Sequence, residues 1–476
     1  MDQLAGREGE RKILLDALER DEAELIAVYG RRRVGKTFLI KSVYEKKLVF
    51  EFSGVHEATL QDQLLNFTLA LQTASKSKVS LVVPENWIKA FFMLEKYLNP
   101  IVKNRKVVIF FDEFPWIQSP KSGFLNAFGH FWNTWASLQA NLVVVICGSA
   151  ASWMIKNVVN NRGGLHNRIT HRIRLLPFTL AETSAYLKSR RINLDQYQLL
   201  QLYMAMGGVP HYLKNVEPGE SVAQAIDRLC FDKNGPLKDE FTQLYQSLFE
   251  KAEYHINIVK ALAATSQGLT RNQIIEAIQI SSGGTITKVL NELEESGFIS
   301  SYVPFEKKAK DAIFKLSDEY SLFYLKFLVN KKASGAGTWL RVAESASWKS
   351  WSGLAFESIC MKHLTSIKKA IGIADVYTEV SPWRYAAKDE AGTQIDLLFD
   401  RNDNCVNLCE IKFSLTEFTI SKNYATVLRE KVSIFRQKTK TRKTPFLTMI
   451  TTYGVHKNAY YLELVQKEIT MEALFG

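Results

Sequence analysis

Uninterrupted apolar runs recur at three places in the first third of the chain. Residues 25–29, 107–111 and 142–147 are runs of five or six apolar residues. Such runs are typical of strands that are buried on both faces, as in a parallel sheet covered by helices. Residues 38–44, which follow the first run after a short loop, are expected to form a helix. The pattern predicts an α/β domain with a parallel sheet in the first part of the chain.

From about residue 178 the pattern changes, and apolar residues recur three and four positions apart. This spacing is that of amphipathic helices. The helices predicted in this way cover residues 180–189, 194–206 and 221–229. Gly207 and Gly208 end the second helix, and Pro210 lies just beyond it, as expected of helix stop signals. We therefore expect a helical segment after the first domain.

The next stretch, 250–316, predicts three helices and a hairpin. The predicted elements are helices at 254–263, from the cap Thr270 to 278, and at 285–296, and strands at 298–305 and 312–316. Gly297 is expected to stop the third helix. This order of elements is that of a winged helix, whose third helix enters the major groove in DNA-reading proteins.

The charges of that third helix leave two interpretations open. The helix carries Glu292, Glu294 and Glu295 against the single Lys288, and DNA phosphates repel such a face. A basic hairpin tip at 307–310 could still contact a DNA backbone. The module therefore either contacts DNA directly or serves as a rigid spacer or protein-contact module.

Residues 331–340 have the composition of a linker, and a second α/β pattern follows them. The predicted elements are a helix at 351–364, strands at 375–380, 393–400 and 406–413, a helix at 423–437 and a strand at 445–452. A separate C-terminal domain is therefore expected.

Composition narrows the class of protein. The 476 residues suggest about three domains, and the net charge of +12 with a pI near 9.2 favours an acidic partner such as nucleic acid. Five cysteines without a C-x-x-C pair predict reduced thiols in a cytoplasmic protein. We expect no membrane segment, because no apolar run approaches the roughly 20 residues that a membrane helix needs.

The loop after the first apolar run carries the clearest chemical signal. It reads Gly30-Arg31-Arg32-Arg33-Val34-Gly35-Lys36-Thr37 and fits the phosphate-binding pattern G-x-x-x-x-G-K-T. Backbone N–H groups and the helix N-terminus would hold the phosphates. Lys36 would neutralise the β- and γ-phosphates, and the Thr37 hydroxyl would ligate Mg²⁺. The alternative is an ordinary glycine loop.

Four further residues could complete a nucleotide site. Asp112 and Glu113 follow the second apolar run, where Asp112 would hold the Mg²⁺ shell and Glu113 would orient or deprotonate the attacking water. Ser149, after the third run, could sense the γ-phosphate, or it could simply end a strand. Arg168 could reach a nucleotide as an arginine finger, in cis or from a neighbouring subunit, although a surface arginine explains it equally well.

These motifs resemble those of an AAA-type ATPase, and more closely those of the archaeal-type ATPase group related to the signal-transducing NTPases. The run of three arginines in the P-loop is typical of that group, residues 4–8 look like its adenine-contacting motif, and residues 207–210 look like its lid motif. The resemblance covers about residues 1–230 and implies ATP and Mg²⁺ as cofactors. It also allows a homo-oligomer.

A second constellation lies near the C-terminus. Asp396 and Glu410 are on strands that a short turn would pair, and strand alternation puts Glu410 and Lys412 on one face. The two carboxylates could hold one divalent cation, Mg²⁺ or Mn²⁺, with Glu357 completing its shell. Lys412 could then orient a metal-bound water. A surface salt bridge on a hairpin is the alternative.

The order of helix, three strands, helix and strand with D…E-x-K resembles the PD-(D/E)XK nuclease core, a restriction-endonuclease-like α/β fold. Residues 422–443 add eight basic residues against one acidic residue, which would suit nucleic-acid phosphates or a solvated helix. The expected domains are a P-loop ATPase core at 1–178, a helical lid at 179–248, a winged helix at 249–330, a linker at 331–345 and a nuclease-like domain at 346–476.

Two functions follow as hypotheses. In the first, an ATPase controls a metal-dependent, DNA-associated nuclease-like domain. In the second, the chain is an NTP-operated switch whose C-terminal domain binds nucleic acid or a partner without cleavage. A purely structural ATP-binding scaffold would require Glu113 to be idle.

Overall fold

The computed structural model describes residues 4–159, 165, 167–279, 283–329, 337–343, 345–385 and 392–476. The chain divides into two compact units. Unit 1 holds the chain up to residue 177 with 247–250 and 295–297, and unit 2 holds 178–246, 251–294 and 298–476. Residues 331–336 of the predicted linker lie outside the described residues.

Unit 1 is built on a five-stranded parallel sheet. Its strands are β1 (Glu24–Tyr29), β2 (Leu48–Ser53), β3 (Val107–Asp112), β4 (Leu142–Gly148) and β5 (His171–Arg174), in the order β2-β3-β4-β1-β5. Alternate residues of β1 enter different cores, with Leu25 and Ala27 on one face and Ile26 and Val28 on the other. The prediction of a parallel sheet buried on both faces is confirmed.

Helices cover both faces of this sheet. They are α1 (Glu8–Glu19), α2 (Lys36–Tyr44), α3 (Leu60–Ser75), α4 (Trp87–Val102), α5 (Phe114–Ile117), α6 (Phe124–Thr134) and α7 (Ala151–Met154). A capping box starts α3, because the Thr59 hydroxyl accepts from the Asp62 N–H and the Asp62 carboxylate accepts from the Thr59 N–H. Aromatic stacking joins α4 to α6, with the Phe91 and Phe131 centroids 4.9 Å apart.

Unit 2 begins with helices. They are α8 (Leu180–Ser189), α9 (Gln196–Met206), α10 (Pro210–Leu213) and α11 (Val222–Ile226), with α12 (Glu240–Leu248) following. The glycine pair after α9 is packed against the backbone, since a Cβ on Gly208 would lie 1.8 Å from the Phe178 carbonyl oxygen. The Phe178 N–H donates to the Gly208 carbonyl at 2.6 Å. At 207–208, where the sequence predicted a helix end, the backbone therefore also packs closely on the backbone of Phe178.

The three-helix module comes next and has the elements expected from its sequence. These are α13 (Ala252–Ala263), β6 (Leu269–Thr270), α14 (Arg271–Ile278), α15 (Gly283–Glu295), β7 (Ile299–Tyr302) and β8 (Ile313–Leu316), followed by α16 (Glu319–Phe327). The strands form an antiparallel sheet in the order β6-β8-β7. Thr270 caps α14 as predicted, accepting from the Gln273 N–H.

The C-terminal part of unit 2 is a mixed five-stranded sheet with helices. Its elements are α17 (Thr338–Ala343), α18 (Ala346–Lys362), α19 (Leu364–Ile371), β9 (Thr378–Tyr385), β10 (Thr393–Arg401), β11 (Cys405–Lys412), α20 (Lys422–Thr439), β12 (Thr444–Thr451), α21 (Ala459–Leu464) and β13 (Lys467–Thr470). The strand order is β13-β12-β11-β10-β9, antiparallel from β9 to β11 and parallel from β11 to β13. β9 starts three residues later than predicted.

Within unit 2, the first helices pack directly on the C-terminal part. Helix α9 lies against α16 and α18, and the Tyr197 ring of α9 stacks on Phe413 and Tyr453 at 5.6 and 5.7 Å. Lys362, at the end of α18, pairs with the buried Glu319 of α16 at 2.6 Å. These elements therefore share one core.

No helix in the described ranges is long and apolar enough to cross a membrane. The five cysteines, all of them described, are free thiols.

Candidate functional sites

The loop between β1 and α2 needs its two glycines for steric reasons. Gly30 has φ 151°, and a Cβ there would lie 2.2 Å from the Leu175 carbonyl oxygen. Gly35 has φ 91° and precedes the first residue of α2, a conformation that L side chains rarely adopt. The backbone can therefore wrap closely before α2 begins.

Lys36 closes this loop on itself. Its Nζ donates to the Gly30 and Arg31 carbonyl oxygens at 2.8 and 3.0 Å, and the side chain is buried. A phosphate group that entered the loop would offer charged acceptors in place of these two carbonyls, and charge-assisted hydrogen bonds are the stronger ones. The ammonium is therefore positioned at the loop before a ligand binds.

The arginines of this region have different surroundings. Arg31 is buried, the Arg32 guanidinium lies 4.8 Å from the Trp116 ring centroid, and Arg33 has a left-handed φ of 73°. Arg7, from the segment ahead of α1, donates to the Val34 and Leu176 carbonyls at 3.3 and 2.6 Å. Arg7 thereby ties that segment to the P-loop, a role that the sequence did not reveal.

Thr37 and Asp112 meet at the carboxyl end of β3. The Thr37 hydroxyl donates to Asp112 Oδ2 at 2.7 Å, and Asp112 Oδ1 accepts from the Glu113 N–H at 2.9 Å. A hydroxyl beside a carboxylate is an oxygen donor set that suits Mg²⁺. The structure thus brings together the two residues that the sequence assigned to this cation.

Glu113 is held by the strand beside its own. Ser149, after β4, donates its hydroxyl to Glu113 Oε2 at 2.8 Å and its N–H to the same oxygen at 3.3 Å. The backbone of Glu113 is left-handed, with φ 43°. Ser149 and Glu113 are therefore neighbours at the edge where nucleotides bind in such sheets, and the carboxylate has a fixed orientation.

Arg168 is exposed in the turn before β5, where its N–H donates to the Leu165 carbonyl at 3.2 Å. Its proposed contact with a nucleotide stays a prediction. Gly163, Gly164 and His166 of the same segment lie outside the described residues.

The C-terminal residues Asp396, Glu410 and Lys412 converge as the strand pattern predicted. Strands β10 and β11 are antiparallel with Leu397 opposite Cys409, and Asp396 Oδ2 accepts from the Ile411 N–H at 3.1 Å. Lys412 Nζ lies 2.8 Å from Glu410 Oε1. The shared face of Glu410 and Lys412 is confirmed.

Helix α20 adds two contacts to Glu410 that the strand pattern does not predict. The Tyr424 hydroxyl donates to Glu410 Oε1 and Lys431 Nζ to Oε2, both at 2.6 Å. Burial alone would raise the pKa of Glu410, but the ammonium groups of Lys412 and Lys431 outweigh it and hold that pKa below its usual value. Glu410 is therefore a charged carboxylate with three partners.

The other two carboxylates of this cluster behave differently. Burial, followed by repulsion from Asp396, raises the pKa of Glu357 to about 8. Burial and the charge of Glu410 also raise the pKa of Asp396. A cation would stabilise both carboxylates, and their oxygens suit Mg²⁺ or Mn²⁺. Among the described residues, however, no three Asp, Glu, His or Cys side chains are close enough together to hold a metal.

Part of the basic segment 422–443 forms ion pairs within the domain. Arg429 pairs with Glu463 at 2.7 Å and Lys443 with Asp400 at 2.5 Å, besides the contact of Lys431. These three residues have structural partners, so the basic count of the segment overstates the charge that it offers to nucleic acid.

Comparison with known proteins supports the ATPase part of the resemblance. Residues 4–216 match the model of an ATPase domain found predominantly in Archaea. An uncharacterized protein of Methanocaldococcus jannaschii is 25% identical over 436 residues, which is 89% of this chain and 91% of that protein. Unit 1 and the first helices of unit 2 thus contain an ATPase-type domain.

Two solved structures have a distant likeness to the chain. A Walker-type ATPase of Pyrococcus abyssi aligns with a TM-score of 0.47 and 15% identity over 68% of this chain and 96% of that one. The Aeropyrum pernix ORC2 protein, in ADPNP–ADP complexes, aligns with a TM-score of 0.41 and 14% identity over 68% of this chain and 93% of that one.

Proposed function

We propose that the chain binds and hydrolyses ATP at the P-loop and that ATP controls a nuclease-like C-terminal domain acting on nucleic acid. The observation that carries the ATPase half is the joining of Thr37 and Asp112 by a hydrogen bond beside the buried Lys36. The match of residues 4–216 to an ATPase domain family supports it.

Each residue of the nucleotide site would have a separate role that follows from its position. Lys36 would bind the phosphates, Thr37 and Asp112 would hold Mg²⁺, and Glu113 would orient the attacking water. When bound, Mg²⁺ would offset the charge of the phosphates. Ser149 would keep the Glu113 carboxylate oriented through the contact at 2.8 Å.

The test compares ATP binding and hydrolysis in point variants of the full chain. Glu113→Gln is expected to lower kcat by about 100-fold or more, because it removes the general base, while ATP still binds. Lys36→Ala is expected to lose binding and turnover together. Lys41→Ala is the matched control, since Lys41 is on the same helix but is exposed and pairs with Glu51. Unchanged turnover in Glu113→Gln would contradict this assignment.

The C-terminal half of the proposal rests on the convergence of Asp396, Glu410 and Lys412, with Glu357 nearby. Asp396 and Glu410 would hold a divalent cation, which would lower the pKa of a bound water and offset charge at a phosphate. Lys412 would position that water beside the cluster. The net charge of +12 favours nucleic acid as the partner.

Cleavage of single- and double-stranded DNA with Mg²⁺ or Mn²⁺, with and without ATP, tests this half. Lys412→Ala is expected to abolish cleavage. Lys467→Ala, at an exposed lysine of β13 outside the basic segment 422–443, should cut like the wild type. Cleavage that Lys36→Ala leaves unchanged would contradict the control by ATP.

One observation favours the second candidate, a switch that binds without cutting. Glu410 already has three partners from Tyr424, Lys412 and Lys431, which would compete with a cation. If the wild type turns over ATP and binds DNA but cuts no substrate with either metal, the switch is the correct function.

A further inference from the structure

A cavity of about 320 Å³ lies beside the C-terminal carboxylate cluster, within unit 2. One wall is formed by α18 and by Asp396 of β10. The opposite wall comes from the three-helix module and α16. The ion pair between Lys362 of α18 and Glu319 of α16 helps hold the two walls together. Two carboxylates of the cluster, Glu357 and Asp396, therefore line this cavity.

Groups of opposite charge meet across this cavity. Glu357 and Asp396 line it from the C-terminal domain, and Lys315 of β8 lines it from the three-helix module. Burial lowers the pKa of the Lys315 ammonium, and the negative charges of Glu357 and Asp396 oppose that shift. Lys260 and Lys326 also line the cavity and are exposed. The cavity can thus offer ammonium groups to an anion that is bound near the two carboxylates.

The rest of the lining is apolar. Trp351, Leu354 and Met361 of α18 face Leu322 and Leu325 of α16. A ligand that fits both parts has a flat or apolar portion and an anionic portion. A phosphorylated nucleoside has this combination.

The volume limits what can enter. Cavities of roughly 300 Å³ are at the lower end of the range for small-molecule sites, and a base-paired duplex is much too wide for such a space. An unpaired nucleotide at the end of a strand can enter singly. The size therefore discriminates between the interior of a duplex and a free strand end.

We propose that this cavity binds a single unpaired nucleotide carrying a terminal phosphate, with the phosphate on the Lys315 ammonium and the base against the apolar wall. The inference rests on the proposed action of the C-terminal domain on nucleic acid. It makes the unpaired end of a strand the substrate class, and it makes the three-helix module part of the C-terminal site through Lys315. The exposed lysines at 307–310 are not needed for this contact.

The test measures binding by isothermal titration calorimetry with Ca²⁺ present, in the full chain carrying Lys36→Ala so that the P-loop does not contribute. The ligands are 5′-phosphorylated (dT)10, thymidine 5′-monophosphate and a hairpin duplex whose ends are closed by loops. We expect the phosphorylated strand and the mononucleotide to bind, and the hairpin to bind at least about tenfold more weakly.

Lys315→Met is expected to weaken binding of the phosphorylated strand about tenfold or more, because it removes a charge-assisted contact to phosphate. Lys315→Arg should restore most of it. Lys467→Met removes the same charge from an exposed position of β13 that does not line the cavity and should change the affinity less than about twofold. A second variant, Ala263→Trp, fills the cavity from α13 without removing a charged group and should also block the strand.

Two results would overturn the proposal: equal affinity in wild type and Lys315→Met, or preferential binding of the closed hairpin. Cleavage of DNA by the wild type together with unaltered binding in Lys315→Met would refute this inference and leave the nuclease function standing. If the wild type does not cleave DNA but Lys315→Met weakens binding of the strand, this inference stands and the nuclease function is refuted.

Discussion

Protonation of His363 should weaken the packing of α8 on α18. His363 is buried, its Nδ1 donates to the Ile359 carbonyl at 2.8 Å, and its Nε2 accepts from the Leu180 N–H at 3.1 Å. This arrangement requires the neutral ring with its proton on Nδ1. A second proton on Nε2 would point at the Leu180 N–H and remove that hydrogen bond. Burial accordingly lowers the pKa of His363 to about 4.

The size of the effect follows from linkage. The pKa of His363 is about 4 when folded and 6.5 for an ordinary histidine, so as the pH falls the unfolded chain takes up the proton first. The contribution of neutral His363 to the free energy of unfolding is therefore fully present above pH 6.5 and is lost as the pH falls towards 4. At pH 5 the loss is about 2 kcal/mol.

Urea unfolding of unit 2, followed by tryptophan fluorescence at pH 7 and pH 5, measures this loss. His363→Gln keeps an acceptor near Leu180 but cannot be protonated, so its unfolding free energy should fall by about 2 kcal/mol less than that of the wild type. His456→Gln, at an exposed histidine, should follow the wild type. Equal pH dependence in wild type and His363→Gln would refute the reasoning.

Three other substitutions have definite expected outcomes. Gly208→Ala places a Cβ 1.8 Å from the Phe178 carbonyl oxygen, so thermal unfolding should show a loss of about 3 kcal/mol or more. Ser149→Ala removes the hydroxyl that orients Glu113, and steady-state assays should show kcat for ATP lowered about tenfold or more with little change in ATP binding. Tyr97→Phe removes a hydroxyl lying 3.0 Å from each of two backbone carbonyls, which should cost about 1 kcal/mol in urea unfolding.

The sequence predicted the central strands of unit 1 well because those strands are buried on both faces. β1, β3 and β4 contain uninterrupted apolar runs. No polar residue breaks these runs, so the hydrophobic pattern identifies the strands directly. No assignment was made between residues 45 and 106, where the structure has β2, α3 and α4. A local signal for α3 was present in Thr59 and Asp62, the two residues of its capping box.

In the candidate sites, too, the sequence predicts contacts within one short segment and does not predict contacts between distant segments. The P-loop lies within eight consecutive residues, so its spacing nearly determines its geometry. The partners Tyr424 and Lys431 reach Glu410 from a helix whose packing the sequence does not specify. Lys315 is more distant still in sequence, and it comes together with Asp396 only in the lining of the cavity. Periodicity cannot predict such contacts.

The packing of α9 on α16 and α18 has a consequence for how such a chain can be assembled from parts. The stretch that matches the ATPase family ends at residue 216, whereas the boundary between the compact units falls at residue 177. A gene fusion that exchanged the C-terminal part after residue 216 would separate Tyr197 from Phe413 and Tyr453 and give α9 a foreign surface to cover. A fusion that introduces a new C-terminal domain must therefore also bring the α8 and α9 that fit this domain, or the existing α8 and α9 must change to pack on it.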